Sequence, residues 1–215
     1  TPFFILDSDG FMISDVTGVL LAGGKSRRMG ADKRFLTVGE QTLLERSCNI
    51  LSRMFIRVCI VIAQDSQPLE TPVPVLRDLI PSCGSLGGMY TGLHQAATPY
   101  IFLSACDMPF IHAGLVRYMV DKKENADVVL ACWHGQPQPT HAVYSRNCLP
   151  VVEELIRKGD LKIQSLMKAP ALRVRLITED EILTIDPEGG SFLNVNTPSD
   201  LDRARSLYAD RSGLR

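Results

Sequence analysis

The sequence predicts an α/β domain in which a mostly parallel central sheet is covered by helices on both faces. Three observations carry this. Continuous apolar runs, rich in β-branched residues at 58–63, recur at 16–21, 58–63 and 100–105, the pattern of strands buried on both faces. Amphipathic stretches lie between later runs, and strands alternating with helices imply parallel crossovers. The 215 residues suffice for one domain with a sizeable core, and neither an internal repeat nor a linker divides them.

Residues 1–14 precede the first strand as an N-terminal extension. A flexible segment, an extra edge strand and a cloning remnant are equally open for it, and the domain proper spans 15–210. The strand at 16–21 runs into Leu-Leu-Ala-Gly-Gly-Lys-Ser-Arg-Arg-Met-Gly-Ala-Asp-Lys over 20–33, which holds three glycines and four cations. Glycine lets a backbone approach a ligand closely and adopt positive φ. Free amides beside Lys and Arg side chains suit a polyphosphate. A solvated basic turn is the competing reading, and Arg27 taken alone fits it better. Neither the P-loop spacing nor Gly-x-Gly-x-x-Gly is present in this stretch.

A helical stripe at 43–54 follows, then the second buried strand at 58–63 and a proline-marked connection through Pro68, Pro72 and Pro74 to a short strand at 73–76. A second glycine-rich loop at 81–88 leads into a helix over 86–95, whose free N-terminal amides form a positive dipole end. Gly88 and Gly92 leave room for close helix packing. The strand at 100–105 ends directly at Cys106-Asp107-Met108-Pro109. An acid at the carboxyl end of a central strand lies where open α/β sheets bind ligands. Asp107 suits Mg²⁺, which takes one or two protein carboxylates and completes its shell with phosphate oxygens and water. A helix-capping role suits Asp107 equally well on the residues alone.

Farther on, 111–120 reads as a helix, 127–133 and 141–145 as strands, and 134–140 as a loop too proline-rich to be regular. Helices are expected at 149–157 and 161–168 and a half-exposed strand at 172–177. A final helix at 198–208 follows Thr197-Pro198, an N-cap and first-turn pair. The less regular stretch 127–183 is a candidate acceptor-binding lobe, and 211–215 is expected to be loose.

The net charge is −1, so no global field favours nucleic acid or membrane. No apolar run approaches membrane-span length. The six cysteines form no Cys-x-x-Cys pair and read as thiols of a reducing cytoplasm. Nothing marks Cys83 or Cys106 as a nucleophile, no Ser-His-Asp constellation is evident, and His141 in an apolar run reads as structural.

The pattern Leu-Ala-Gly-Gly-Lys-Ser-x-Arg-Met-Gly-x-x-Lys at 21–33 resembles the signature of nucleotidyltransferases that attach a nucleoside monophosphate to a phosphorylated acceptor. With Ala-Gly-Gly in place of the commoner Ala-Ala-Gly, it is most similar to the molybdenum cofactor guanylyltransferase family. The resemblance runs from Thr17 to Tyr208. It implies a single Rossmann-like nucleotidyltransferase domain in the cytoplasm that moves GMP from GTP to the phosphate of molybdopterin, with Mg²⁺ as cofactor. Contacts with other cofactor-biosynthesis or acceptor proteins would be transient.

The resemblance places Leu21, Ala22, Gly23, Gly24, Asp78 and Gly88 on the nucleotide. Lys33 and Arg28 would face phosphates, and Asp107 would hold Mg²⁺. Asn194 and Asn196, in Asn-Val-Asn-Thr-Pro, would lie near the acceptor, and Pro139-Thr140-His141 matches a further family segment. Ser85 stands where the family's second loop usually has proline. Gln64 follows the second strand near a position where the family often has Asn, which bears on base recognition. A cytidylyltransferase, a transferase for another phosphorylated acceptor and a non-catalytic molybdopterin carrier are the competing functions.

Overall fold

The structure is a computed structural model that describes residues 12–23 and 32–213. Gly24 and Arg28, with Lys25 and Arg27, lie outside the described residues, as does most of the 1–14 extension. The first strand, β1 (Ile13–Leu21), begins three residues before the apolar run at 16–21, so Ile13 and Ser14 belong to it.

The main sheet has seven strands in the order β5-β4-β1-β6-β8-β7-β9. They are β1, β4 (Phe55–Ile62), β5 (Val75–Arg77), β6 (Tyr100–Ala105), β7 (Val128–Trp133), β8 (Gln136–Ser145) and β9 (Val174–Ile177). Adjacent strands are parallel except where β8 runs against β6 and β7. A two-stranded pair, β2 (Thr37–Val38) and β3 (Gln41–Thr42), stands apart. The chain passes from β1 to β4 and β5 on one side, then to β6 on the other. That reversal beside β1 is the switch point at which open α/β sheets bind ligands.

Side chains alternate across the strands. Leu20, Ile60 and Phe102 enter one core with α1 (Leu43–Met54), α3 (Ala113–Asp121) and α5 (Glu179–Leu183). Val19, Val61 and Leu103 enter the opposite core with α2 (Gly84–Gln95), α4 (Leu149–Arg157) and the 3₁₀ turn Ile163–Lys168. Both faces of the sheet are therefore covered, as the doubly buried runs predict. A third cluster, of Val38, Leu43, Phe110, Val195, Leu201 and Ala204, docks α6 (Pro198–Arg211) against β2 and α1.

Helix α1 starts at a reciprocal capping box between Thr42 and Glu45. Helix α2 can lie close to β1 because it carries glycines there: a Cβ on Gly92 would stand 2.8 Å from Val19 Cγ1, and one on Gly88 2.7 Å from Leu21 Cδ2.

Several expectations need correction. The 134–140 segment is not an irregular loop. His134 and Gly135, with φ of 50° and 70°, turn β7 into β8, and the two positive φ values match the twist of a tight hairpin. Pro137 and Pro139 are tolerated because this end of β8 runs past its last β6 partner, the pair Ser104 and His141. Residues 161–168 form no α-helix; a shorter 3₁₀ turn, Ile163–Lys168, stands there instead. The 127–183 stretch is not a separate lobe, because β7, β8 and β9 continue the main sheet. Asp107 does not cap the following helix, whose N-cap is His112.

Candidate functional site

The carboxyl ends of β1, β4 and β6 open into a cleft of about 540 Å³. Backbone bonds knit the three ends together: Ala22 N donates to Val61 O at 2.9 Å and Cys106 N to Leu21 O at 3.0 Å. Leu21, Ala22 and Gly23 form one wall, with a Cβ on Gly23 reaching within 3.2 Å of Ala63 N. Ser82, Gly84, Ser85 and Gly88, at the start of α2, form another. Cys83, the N-cap of α2, makes no side-chain cap bond, so the first amides of this helix are left for other acceptors. Ser82 is held at φ 63°, a strained conformation for a residue with a Cβ and one that clusters at ligand sites.

Asp107 and Lys33 meet at the mouth. Lys33, in a 3₁₀ turn (Lys33–Phe35), places Nζ 3.6 Å from Asp107 Oδ2 and donates to Asn196 Oδ1 at 2.6 Å. Three segments far apart in the chain therefore converge. Burial pushes the Asp107 carboxyl above its ordinary range, with the Lys33 ammonium opposing. Among the described residues no group of three or more His, Cys, Asp or Glu could hold a metal. Asp107 offers a hard carboxylate oxygen in a cleft with room for phosphate, a donor set that fits Mg²⁺ bound mainly through its ligand and water.

Asp78 lines the same cleft, and its Oδ1 is buried without a hydrogen-bond partner. Burial pushes its carboxyl up to about 6. Gln64 does not line the cleft; its Nε2 donates to Asp78 O at 2.9 Å and braces that residue instead. Asn194 is separated from Asn196. It lines a second cleft of about 630 Å³ with Trp133, Phe192 and Arg203, whereas Asn196 bonds to Lys33 at the first.

Two contributors were not evident in the sequence. Asp32 binds Arg34 with Nε–Oδ1 at 3.0 Å and Nη2–Oδ2 at 2.6 Å, and both residues line the cleft. The Arg34 hydrogen bonds hold the Asp32 carboxyl below its ordinary range against the effect of burial. Asp-x-Arg before a short turn is the only local signal. Thr140 also lines the cleft. Cys106 is no nucleophile, since burial pushes its thiol up to about 12. His141 is buried between Phe102 and Phe192, with ring centroids 5.3 and 5.2 Å away, and burial lowers it to about 4. It is a neutral core residue.

A glycine-lined cleft thus lies at the switch point of the α/β sheet, with a helix N-terminus on one side and a cation beside an acid on the other. The chain belongs to the family described as the MobA-like NTP transferase domain, whose model matches residues 18–175. It is 40% identical over 192 residues to a probable molybdenum cofactor guanylyltransferase of Pelotomaculum thermopropionicum, covering 89% of this chain and 92% of that one. A molybdenum cofactor guanylyltransferase of Desulfosudis oleivorans is 34% identical, with 89% and 95% covered. In fold it is similar to molybdopterin-guanine dinucleotide biosynthesis protein A from Archaeoglobus fulgidus, at a TM-score of 0.80 and 24% identity, covering 91% of this chain and all of that one. The 2-C-methyl-D-erythritol 4-phosphate cytidylyltransferase of Thermus thermophilus shares the fold at a TM-score of 0.65 and 19% identity, with 88% and 96% covered. No helix among the described residues is long and apolar enough to cross a membrane.

Proposed function

We propose that this protein transfers GMP from GTP to the phosphate of molybdopterin, releasing pyrophosphate, in the cytoplasm. The observation that carries the reading is the approach of Lys33 to Asp107, 3.6 Å apart, in a cleft walled by Gly23 and the start of α2. The relatives' names, molybdenum cofactor guanylyltransferase, support this choice of acceptor and base.

Joining two anions demands charge neutralisation and positioning more than a protein nucleophile. Leu21, Ala22 and Gly23 admit the nucleotide against bare backbone, and the amides at the start of α2 supply fixed positive ends. Lys33 neutralises phosphate charge; a cation about 4 Å from a phosphate contributes roughly 4 kcal/mol at an effective dielectric near 20, before desolvation. Asp107 would hold Mg²⁺, which when bound neutralises phosphate charge and polarises the α-phosphate. Asp78 and Gly88 would contact the nucleotide, and Asn194 the acceptor. Arg28 is a second candidate for phosphate charge.

The test is isothermal titration of the protein with GTP and with CTP in MgCl₂, followed by a pyrophosphate-release assay with molybdopterin. Tighter GTP binding and release that falls at least 100-fold in Asp107→Ala are expected. Tighter CTP binding would identify a cytidylyltransferase. Nucleotide binding with no pyrophosphate release would identify a carrier.

A further inference from the structure

The family resemblance puts Asn196 beside the acceptor, yet its side chain is occupied on the nucleotide side. We infer that Asn196 and Asp200 are positioning residues for Lys33, so that the turn before α6 sets the affinity of the cleft for nucleotide phosphate. This rests on the reading that the cleft takes a nucleoside triphosphate.

Lysine is a flexible point charge on a four-carbon stem. Something must hold it over the mouth of the cleft. Asn196 Oδ1 accepts from Nζ at 2.6 Å, and the amide oxygen must be the atom that faces Lys33, because an ammonium only donates. A neutral amide fixes the ammonium without cancelling its charge, which stays available to an anion. Asp107 attracts the same group from 3.6 Å but offsets its charge.

Asn196 is itself held. Asp200 Oδ2 accepts from Asn196 N at 3.0 Å, from Thr197 N at 2.8 Å and from Thr197 Oγ1 at 2.9 Å. Asp200 N donates back to Thr197 Oγ1 at 3.2 Å. One carboxylate thus starts helix α6 and fixes the backbone that carries the Asn196 amide. On the other flank, Val195 N donates to Asp107 O at 2.9 Å, and its side chain is buried with Phe110 and Leu201. The turn is locked to the two groups it serves. Asp200 also lines the second cleft.

The experiment is titration of GTP with MgCl₂ in the absence of any acceptor, paired with thermal unfolding of each variant. Asn196→Ala weakens GTP binding about tenfold, one hydrogen bond to a charged group, with little change in Tm. Asp200→Ala weakens it about threefold to fivefold and lowers Tm. Asp200→Asn, which keeps an acceptor oxygen, restores part of the affinity. In the Asn196→Ala background, Asp200→Ala still lowers Tm but leaves the GTP affinity unchanged, because its route to Lys33 is already cut. Full GTP affinity in Asn196→Ala, or independent additive losses in the double variant, would overturn the inference. A wild-type protein that binds GTP poorly or not at all would instead overturn the nucleotide reading beneath it.

Discussion

Asp78 offers a direct test of whether this cleft was shaped for a ligand at the expense of the empty fold. Its Oδ1 is buried without a partner, and burial raises its carboxyl from 3.8 to about 6. That difference corresponds to roughly 3 kcal/mol, at about 1.36 kcal/mol per pH unit. Asp78 is only half-buried, and solvent screening reduces that to about 1–1.5 kcal/mol. The sign follows from linkage. Below the unfolded pKa the side chain is neutral in both states and costs nothing. As pH rises through the folded value near 6, the folded state is increasingly penalised, and above it the cost is complete. Asp78→Asn removes the charge and should raise Tm by about 2–6 °C at pH 7.5. The gain should shrink towards zero near pH 4. Differential scanning calorimetry across pH 4–8 reads this directly, and titration with GTP should show weaker binding in the same variant. A variant less stable than wild type at pH 7.5, or a gain that is constant across the range, would refute the reasoning.

Two further predictions concern the scaffold. Asp127 accepts from Arg173 N at 2.9 Å and Asn147 Nδ2 at 2.8 Å, and hydrogen bonding to Arg173 holds its carboxyl well below the usual range. Asp127→Ala should cost about 2–4 kcal/mol by urea titration at pH 7. The gap should narrow progressively as pH falls below the ordinary aspartate pKa, because the unfolded carboxyl then takes up a proton that the folded one resists; an unchanged urea midpoint at pH 7 would exclude the role. Gly92→Ala sets an overpacking cost of about 1–3 kcal/mol against Val19 against a helix-propensity gain of up to about 1 kcal/mol. A net loss is expected, and a raised Tm would show that α2 can shift outward.

The parts of the fold legible in the sequence are those whose burial leaves a local trace. The apolar run at 100–105 coincides with β6, and the stripes at 43–54 and 149–157 coincide with α1 and α4, because a buried face fixes both the period and the ends of an element. The first half of β8 leaves no such trace, since proline content is a poor guide where a strand has one open edge. The β2–β3 pair, turned at Gly39 with φ of 66°, is too short to carry a period. At the site, the glycines and the cation–acid pair could be named, but the bonding between Lys33 and Asn196 could not. Their separation of 163 positions leaves no pattern in either segment. Nor does the separation of Asn194, which lines the second cleft, from Asn196, which bonds to Lys33.

The bond from Val195 to Asp107 carries a consequence for how the protein is made. A ribosome releases Lys33 and Asp107 long before Asn196, and the sheet strands that flank them can pair in the meantime. The emerging polypeptide would therefore present an ungated crevice, and grip on its ligand would be acquired only when α6 docks. Since that docking draws together the widest sequence span in the cleft, it is also the closure with the largest loop entropy to overcome. Completion of the cleft mouth and completion of the fold are then a single late event.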